Sequence, residues 1–354
     1  MDTQREMTSG RMAAVAVDDG PATATAAARE TTMKAIVQDK YGSSEVLELR
    51  DIDKPEIGDN DVLVRVRAAA VNPGDWAIMS GLPYIARPVY GLRKPKNAVR
   101  GTDVAGEVEA VGTSVTRFRP GDEVFGWCQQ LGGAFAEHAS VSEDALEPKP
   151  ANLTFEQAAA VPTAGLVALE ALRDVRAGQK VLINGASGGI GTFAVQIAKS
   201  IGAEVTGVCS TRNVDLVRSI GADQVIDYTK ENFTQTGQRY DFILDNVANR
   251  SLSDLRRALT PKGTLVPNGG GFDNHWFASG GRVMSAKVLS RFVSQTLRTF
   301  LMSQKVQALV ALKDLIEAGK VTPVIDRTYP LSETPQAIDH VGLGHARGKV
   351  VITV

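Results

Sequence analysis

Lys180-Val181-Leu182-Ile183-Asn184-Gly185-Ala186-Ser187-Gly188-Gly189-Ile190-Gly191 runs from an apolar strand through a glycine-rich turn into the start of a helix. A strand, tight turn and helix in this order form the unit that binds the pyrophosphate of a dinucleotide. Gly188 lets the backbone approach the phosphates, and Gly191 lets the helix pack closely on the strand. The helix N-terminus adds unpaired N–H groups and the positive end of a dipole. Ala186 stands where the G-x-G-x-x-G pattern has its first glycine, and it is small enough to keep the turn. The phosphate-binding candidates are therefore Ala186, Ser187, Gly188, Gly189, Ile190 and Gly191.

On the C-terminal side of this turn, strands and helices alternate. Strands are expected at Lys180–Asn184, Glu204–Val208, Gln224–Tyr228, Tyr240–Asn246 and Gly263–Pro267. In the helix Ile190–Ile201, Phe193, Ile197 and Ile201 share one face. That rhythm implies a doubly wound parallel sheet. A helix at Val306–Ala318 and a strand from Lys349 to Val354 close the chain, the strand returning to the first domain.

On the N-terminal side, residues 33–150 read as short strands separated by turns: Lys34–Val37, Val46–Leu49, Asp61–Ala68, then Pro120-Gly121-Asp122 with its turn chemistry. Residues 1–32 lack hydrophobic periodicity and are read as a disordered leader. They have neither the apolar core of a secretory signal nor the acid-poor composition of a transit peptide. The expected division is a leader (1–32), a β-rich domain (33–150), a doubly wound dinucleotide-binding domain (151–300), and a return to the β-rich domain (301–354).

The second strand of the parallel sheet selects the cofactor. An NAD enzyme places Asp or Glu at its end to hold the ribose hydroxyls. Here the strand runs into Ser210-Thr211-Arg212, two hydroxyls and a guanidinium, which suit a 2′-phosphate. The sequence reads as NADPH-binding.

Bulk properties exclude other classes. A formal net charge of -1 over 354 residues gives no general attraction to nucleic acid or anionic membrane. No apolar run approaches the roughly 20 residues of a membrane span. Two distant cysteines, Cys128 and Cys209, form no disulfide framework and suit a reducing, cytoplasmic setting. The four histidines are scattered, with no metal-ligand spacing.

The run Gly101-Thr102-Asp103-Val104-Ala105-Gly106-Glu107-Val108-Glu109-Ala110-Val111-Gly112, with Pro120-Gly121-Asp122-Glu123-Val124, resembles the quinone oxidoreductase branch of the medium-chain dehydrogenases/reductases. The reticulon-interacting oxidoreductases and plant alkenal reductases are similar neighbours. The resemblance implies a GroES-like domain, a Rossmann domain and a cleft between them. Zinc-dependent members carry Cys and His where this chain has Asn72-Pro73-Gly74-Asp75 and Gly101-Thr102-Asp103, so the resemblance implies no metal. It also implies an NADPH-dependent reductase that transfers hydride to a quinone or an α,β-unsaturated carbonyl. A ketone reductase of a biosynthetic pathway and a non-catalytic NADPH-binding sensor are the alternatives.

By the same resemblance, Asn72 and Thr163 lie near the nicotinamide, with Asn246, Asn268, Gly269 and Gly270 lining its other side. Tyr228 sits near the 2′-phosphate, and Lys349 near the cofactor. Asp75 and Tyr84 join Asn72 as catalytic candidates, Asp75 reading more readily as a loop organiser and Tyr84 as one of two proton sources, water being the other. Tyrosines that bacterial relatives carry after the position of Asp75 are absent. The segment from His275 to Leu301 interleaves Arg282, Lys287, Arg291 and Arg298 with apolar residues. It is expected to pack over the cleft or at a homodimer interface, ahead of binding a membrane or a hydrophobic substrate as an amphipathic helix.

Overall fold

The computed structural model describes residues 31–129, 132–268, 280–299, 306–344 and 346–354. Strands β1 (Thr32–Gln38) and β2 (Leu47–Asp53) pair antiparallel. Val46 belongs to a 3₁₀ turn, Ser44–Val46, so the strand expected from it begins one residue later.

β3 (Asp61–Val71) is the centre of a seven-stranded, mainly antiparallel sheet. Its sequence alternates: Arg65 and Arg67 face solvent while Val62, Val64 and Val66 are buried. Helices α1 (Pro73–Ser80) and α2 (Arg87–Tyr90) follow it. β4 (Asp103–Val111) pairs with β3, and β5 (Glu123–Trp127), β6 (His138–Ser142) and β7 (Leu146–Pro148) complete this part of the sheet. Arg65 and Arg67 form ion pairs across the β3–β4 ladder with Glu109 and Glu107.

Helices α3 (Phe155–Ala159) and α4 (Pro162–Ala171) lead into the second sheet. Thr154 and Gln157 form a reciprocal capping box at the start of α3. Then come β8 (Lys180–Asn184), α5 (Gly189–Ile201), β9 (Glu204–Cys209), α6 (Val214–Ser219), β10 (Gln224–Asp227), β11 (Tyr240–Asp245), α7 (Leu252–Arg257), β12 (Leu259–Pro267), α8 (Gly280–Leu289) and β13 (Thr296–Leu297). The six strands are parallel in the order β10-β9-β8-β11-β12-β13. Val181, Leu182 and Ile183 are wholly buried, as strands covered on both faces require. The strand order reverses between β8 and β11, the switch point where such sheets hold ligands.

The expected fold class is therefore present: a GroES-like β-rich unit beside a Rossmann sheet. Two expectations change. The strand expected at Gly263–Pro267 starts at Leu259, because Leu259 pairs with Tyr240 across a bulge. The described part of the 275–301 segment is not one amphipathic helix but α8 followed by edge strand β13; residues 275–279 and 300–301 lie outside the described residues.

After α9 (Val306–Glu317), strand β14 (Ile325–Pro330), helix α10 (Thr334–Gly342) and strand β15 (Lys349–Thr353) rejoin the first sheet. β15 lies antiparallel to β3, with Val350 opposite Val71.

At the decisive turn, Gly185 takes a positive φ of 82°. A Cβ on Gly191 would lie 2.1 Å from the Gly185 carbonyl oxygen, so α5 can start this close to β8 only with glycine there. Gly191→Ala should therefore push α5 off the strand and destabilise the fold by about 1–3 kcal/mol. Thermal melts and NADPH titration of the variant check this; an unchanged melting temperature would contradict it.

Candidate functional site

The register of three neighbouring strands assembles the first half of the site. Lys349 precedes Val350, Asn72 follows Val71, and Asp103 pairs with Ala70, so the three residues meet at one end of β15, β3 and β4. All three are buried. Lys349 Nζ donates to Asn72 Oδ1 and, at 3.2 Å, to the Val71 carbonyl. Asn72 Nδ2 donates to Asp103 Oδ2 at 3.0 Å, and Lys349 Nζ lies 3.8 Å from the same oxygen. Thr163, at the start of α4, donates its hydroxyl to Asp103 Oδ1 at 2.5 Å and its backbone N–H to Oδ2 at 3.2 Å.

Burial pushes the Asp103 carboxyl up and the Lys349 ammonium down, while each charge opposes the other's shift. The donors from Thr163 and Asn72 also favour ionised Asp103.

Asp75 lies beside this cluster with 1% of its surface exposed. Its Oδ2 accepts the Asn72 N–H at 2.8 Å and so anchors the start of α1. Burial raises its carboxyl to about 7. Near Tyr84, the Arg87 guanidinium lies 4.7 Å from its ring and 4.8 Å from that of Tyr41. The structure thus groups Tyr84 with Tyr41, and Asn72 with Lys349, Asp103 and Asp75.

The second half of the site is the N-terminus of α5. Gly188 occupies the N-cap position, so no side chain caps the helix. An isolated bridge between Gly188 and Gly348 brings this terminus against Lys349. Ala186 is buried beneath the turn, where its methyl faces Gly207. Ser187, also buried, accepts from Asn213 Nδ2 at 2.9 Å; that amide also donates to Ser210 at 3.2 Å, tying the glycine turn to the end of β9.

At the proposed 2′-phosphate end the Thr211 hydroxyl donates to Asp227 Oδ2 at 2.6 Å. Asp227 closes β10, beside the end of β9. The hydrogen bond from Thr211, followed by those from Thr229 and Lys230, holds its carboxyl down to about 2. An acid does stand near this corner, delivered by the adjacent strand. Ser210 and the exposed Arg212 and Tyr228 form the remaining rim.

At the switch point, Asp245 is fully buried and accepts from Asn184 Nδ2 at 2.8 Å and from Arg282 at 2.6 Å. Arg282 also donates to the Arg250 carbonyl, which pins α8 over the ends of β8 and β11. Next to it, Asn268 Nδ2 donates to Asn246 Oδ1 at 2.8 Å, while the buried Asn246 Nδ2 has no partner among the described residues. Gly269 and Gly270 lie outside the described residues.

Asp103, Asn213, Asp227 and Asp245 escaped the sequence reading. Asp227 and Asp245 carried a usable signal, each being an acid that ends an otherwise apolar strand. Among the described residues no group of three His, Cys, Asp or Glu side chains could hold a metal, and no helix is long and apolar enough to cross a membrane.

Comparison with known proteins agrees with this architecture. Residues 58–151 match the alcohol dehydrogenase GroES-like domain family, and residues 220–352 match a family described as zinc-binding dehydrogenase. The chain is 38% identical to the mitochondrial NAD(P)H oxidoreductase RTN4IP1 of Bos taurus, over 93% of this chain and 91% of that one. It is 34% identical to the chloroplastic NADPH-dependent alkenal/one oxidoreductase of Arabidopsis thaliana, over 90% and 79%. The structure of a quinone oxidoreductase from Coxiella burnetii superposes with a TM-score of 0.79 at 31% identity, covering 91% of this chain and 99% of that one.

The raised carboxyl of Asp75 has a consequence for stability. Its folded value of about 7 lies above the ordinary 3.8, so between these values the unfolded chain releases a proton that the fold retains. Stability therefore falls as pH rises across that interval and levels off above it. In Asp75→Asn the fall should lessen by about 1.4 kcal/mol per pH unit. Urea midpoints measured from pH 4 to 8 check this, and an identical slope in both proteins would contradict it.

Proposed function

The chain belongs to the medium-chain dehydrogenase/reductase superfamily, in its quinone and alkenal reductase branch, and on that premise we propose that it transfers a hydride from NADPH to a quinone or to the conjugated double bond of an enone or enal. One observation carries this reading: the Gly188–Gly348 bridge sets the uncapped end of α5 beside Lys349, which holds Asn72. A phosphate-binding terminus and a polar cluster thus share a cleft.

NADPH fits the residues present. The uncapped N–H groups of α5 would take its pyrophosphate, and a Cβ on Gly188 would meet only the Gly185 oxygen at 3.6 Å, so the approach over the turn is open. Ser210 and Arg212 would receive the 2′-phosphate, beside Tyr228. Asn72 and Thr163 would border the nicotinamide on one side. The unpartnered Nδ2 of Asn246, with Asn268, offers a donor on the other. Bound there, NADPH supplies a hydride.

The reaction we assign needs no zinc. Where zinc-dependent relatives place Cys and His, this chain has Asn72 and Thr102, and Asp103 is already committed to Thr163 and Asn72. A quinone or enone brings its own electrophilic carbon, so the residues need only orient it and exclude water. Tyr84 or water is the assigned proton source for the enolate.

The domain division belongs to the same reading, supported by β14 and β15 joining the sheet of β3. So does a homodimer through α8, whose Met284 and Val288 are exposed together with Phe292 beyond it. A cytoplasmic setting rests on the two buried free thiols, Cys128 and Cys209.

NADPH consumption with a panel of quinones, enals and enones tests the activity; tight NADPH binding without turnover on any acceptor would contradict it. Arg212→Asp should weaken NADPH about tenfold or more while NADH changes by less than about threefold. Equal losses in the two titrations would remove Arg212 from the 2′-phosphate site.

A further inference from the structure

Asn72 sits at the N-cap of α1, with Asp75 three residues on, the spacing of a capping box. Asp75 accepts the Asn72 N–H and so closes that box from its own side. The Asp75 N–H goes to the main-chain carbonyl of Asn72 at 2.9 Å. The side-chain oxygen of Asn72 faces Lys349 and its nitrogen faces Asp103.

These neighbours leave the carboxamide one orientation. An ammonium can only donate, and an ionised carboxylate can only accept. Turning the amide over would set Nδ2 against the Lys349 ammonium and Oδ1 against the Asp103 carboxylate, two repulsive contacts in a buried site. The same carboxylate consumes the only hydroxyl proton of Thr163 and also accepts its backbone N–H. Thr163 Oγ1 is thereby left with lone pairs alone, on a residue that is only half-buried.

We propose that Asp103 and Lys349 are positioning residues that set the hydrogen-bond polarity of the site: together they fix the Asn72 carboxamide, and Asp103 makes Thr163 an obligate acceptor. A bound molecule then meets Thr163 as a group that accepts from N–H or O–H donors. The chemistry it recognises there is a primary amide or a ribose hydroxyl. Assigning those donors to NADPH rests on the proposed reductase reading; the lock itself is a property of the protein alone.

The test uses the full-length chain. With selective ¹⁵N-asparagine labelling, the Asn72 side-chain amide of the NADPH-free protein should give a shifted, exchange-protected pair of signals. Those signals should persist in Lys349→Arg and disappear in Lys349→Met and Asp103→Asn. In turnover, Lys349→Met and Asn72→Ala should each lower kcat about tenfold or more, and Lys349→Arg should stay within about threefold of the starting protein. Because Lys349 acts through Asn72, adding Lys349→Met to Asn72→Ala should cost less than about twofold more. Losses that multiply in the double variant, or an unchanged Asn72 amide signal in Lys349→Met, would overturn the proposal. If Lys349→Met does not fold, the signal in Lys349→Arg decides, because its loss there would also overturn it. A starting protein that turns over no acceptor defeats the reductase reading, while the amide signals still decide the lock.

Discussion

The pairing of β15 with β3 is the contact on which the rest of the molecule depends. It returns the last residues of the chain to the strand at the centre of the first sheet, with Val350 set opposite Val71. Because side chains alternate along a strand, a slip of one residue would turn Lys349 to the other face. In the observed register it meets Asn72, and Gly348 meets Gly188 at the start of α5. A Cβ on Gly348, whose φ is 102°, would lie 2.3 Å from the Val324 carbonyl oxygen. Glycine is thus required where the two halves of the cleft touch.

Buried charge is the main expense of this arrangement. Lys349, Asp103 and Asp75 are removed from water together, and isolated ions in such a setting would cost several kcal/mol each. Hydrogen bonds from Thr163 and Asn72, with the nearby Lys349 ammonium, offset that cost for Asp103. Asp75 has a single hydrogen bond and an unpartnered Oδ1, and its carboxyl accordingly moves toward the neutral range. Asp245 and Arg282 apply the same solution at the switch point, where the pair also secures α8.

Local patterns were legible before the fold was known. The glycine turn, the parallel sheet and the β-rich first half all follow from periodicity or from residues adjacent in sequence. What could not be read is long-range partnership. Asp103 and Asn72 are 31 residues apart, and Lys349 is 277 residues from Asn72; each looks unremarkable in its own segment. Thr211 adds a partnership of the same kind: beside Arg212 it reads as a phosphate ligand, and its hydroxyl also meets Asp227, 16 residues away. Arg282 was absorbed into an amphipathic pattern because its partner Asp245 belongs to another element.

Asn72 serves the helix and the site at once. Asparagine is among the best residues for capping a helix, a cap being worth about 1 kcal/mol. Asp75 adds to that start by accepting the Asn72 N–H. The helix therefore keeps its start while the carboxamide is released toward Lys349 and Asp103. Had Asn72 only to begin α1, neither the buried ammonium nor the buried carboxylate would be needed beside it. Their presence at the ends of three strands is what the proposed task in the cleft asks for, and the start of α5, which no side chain caps, lies beside Lys349.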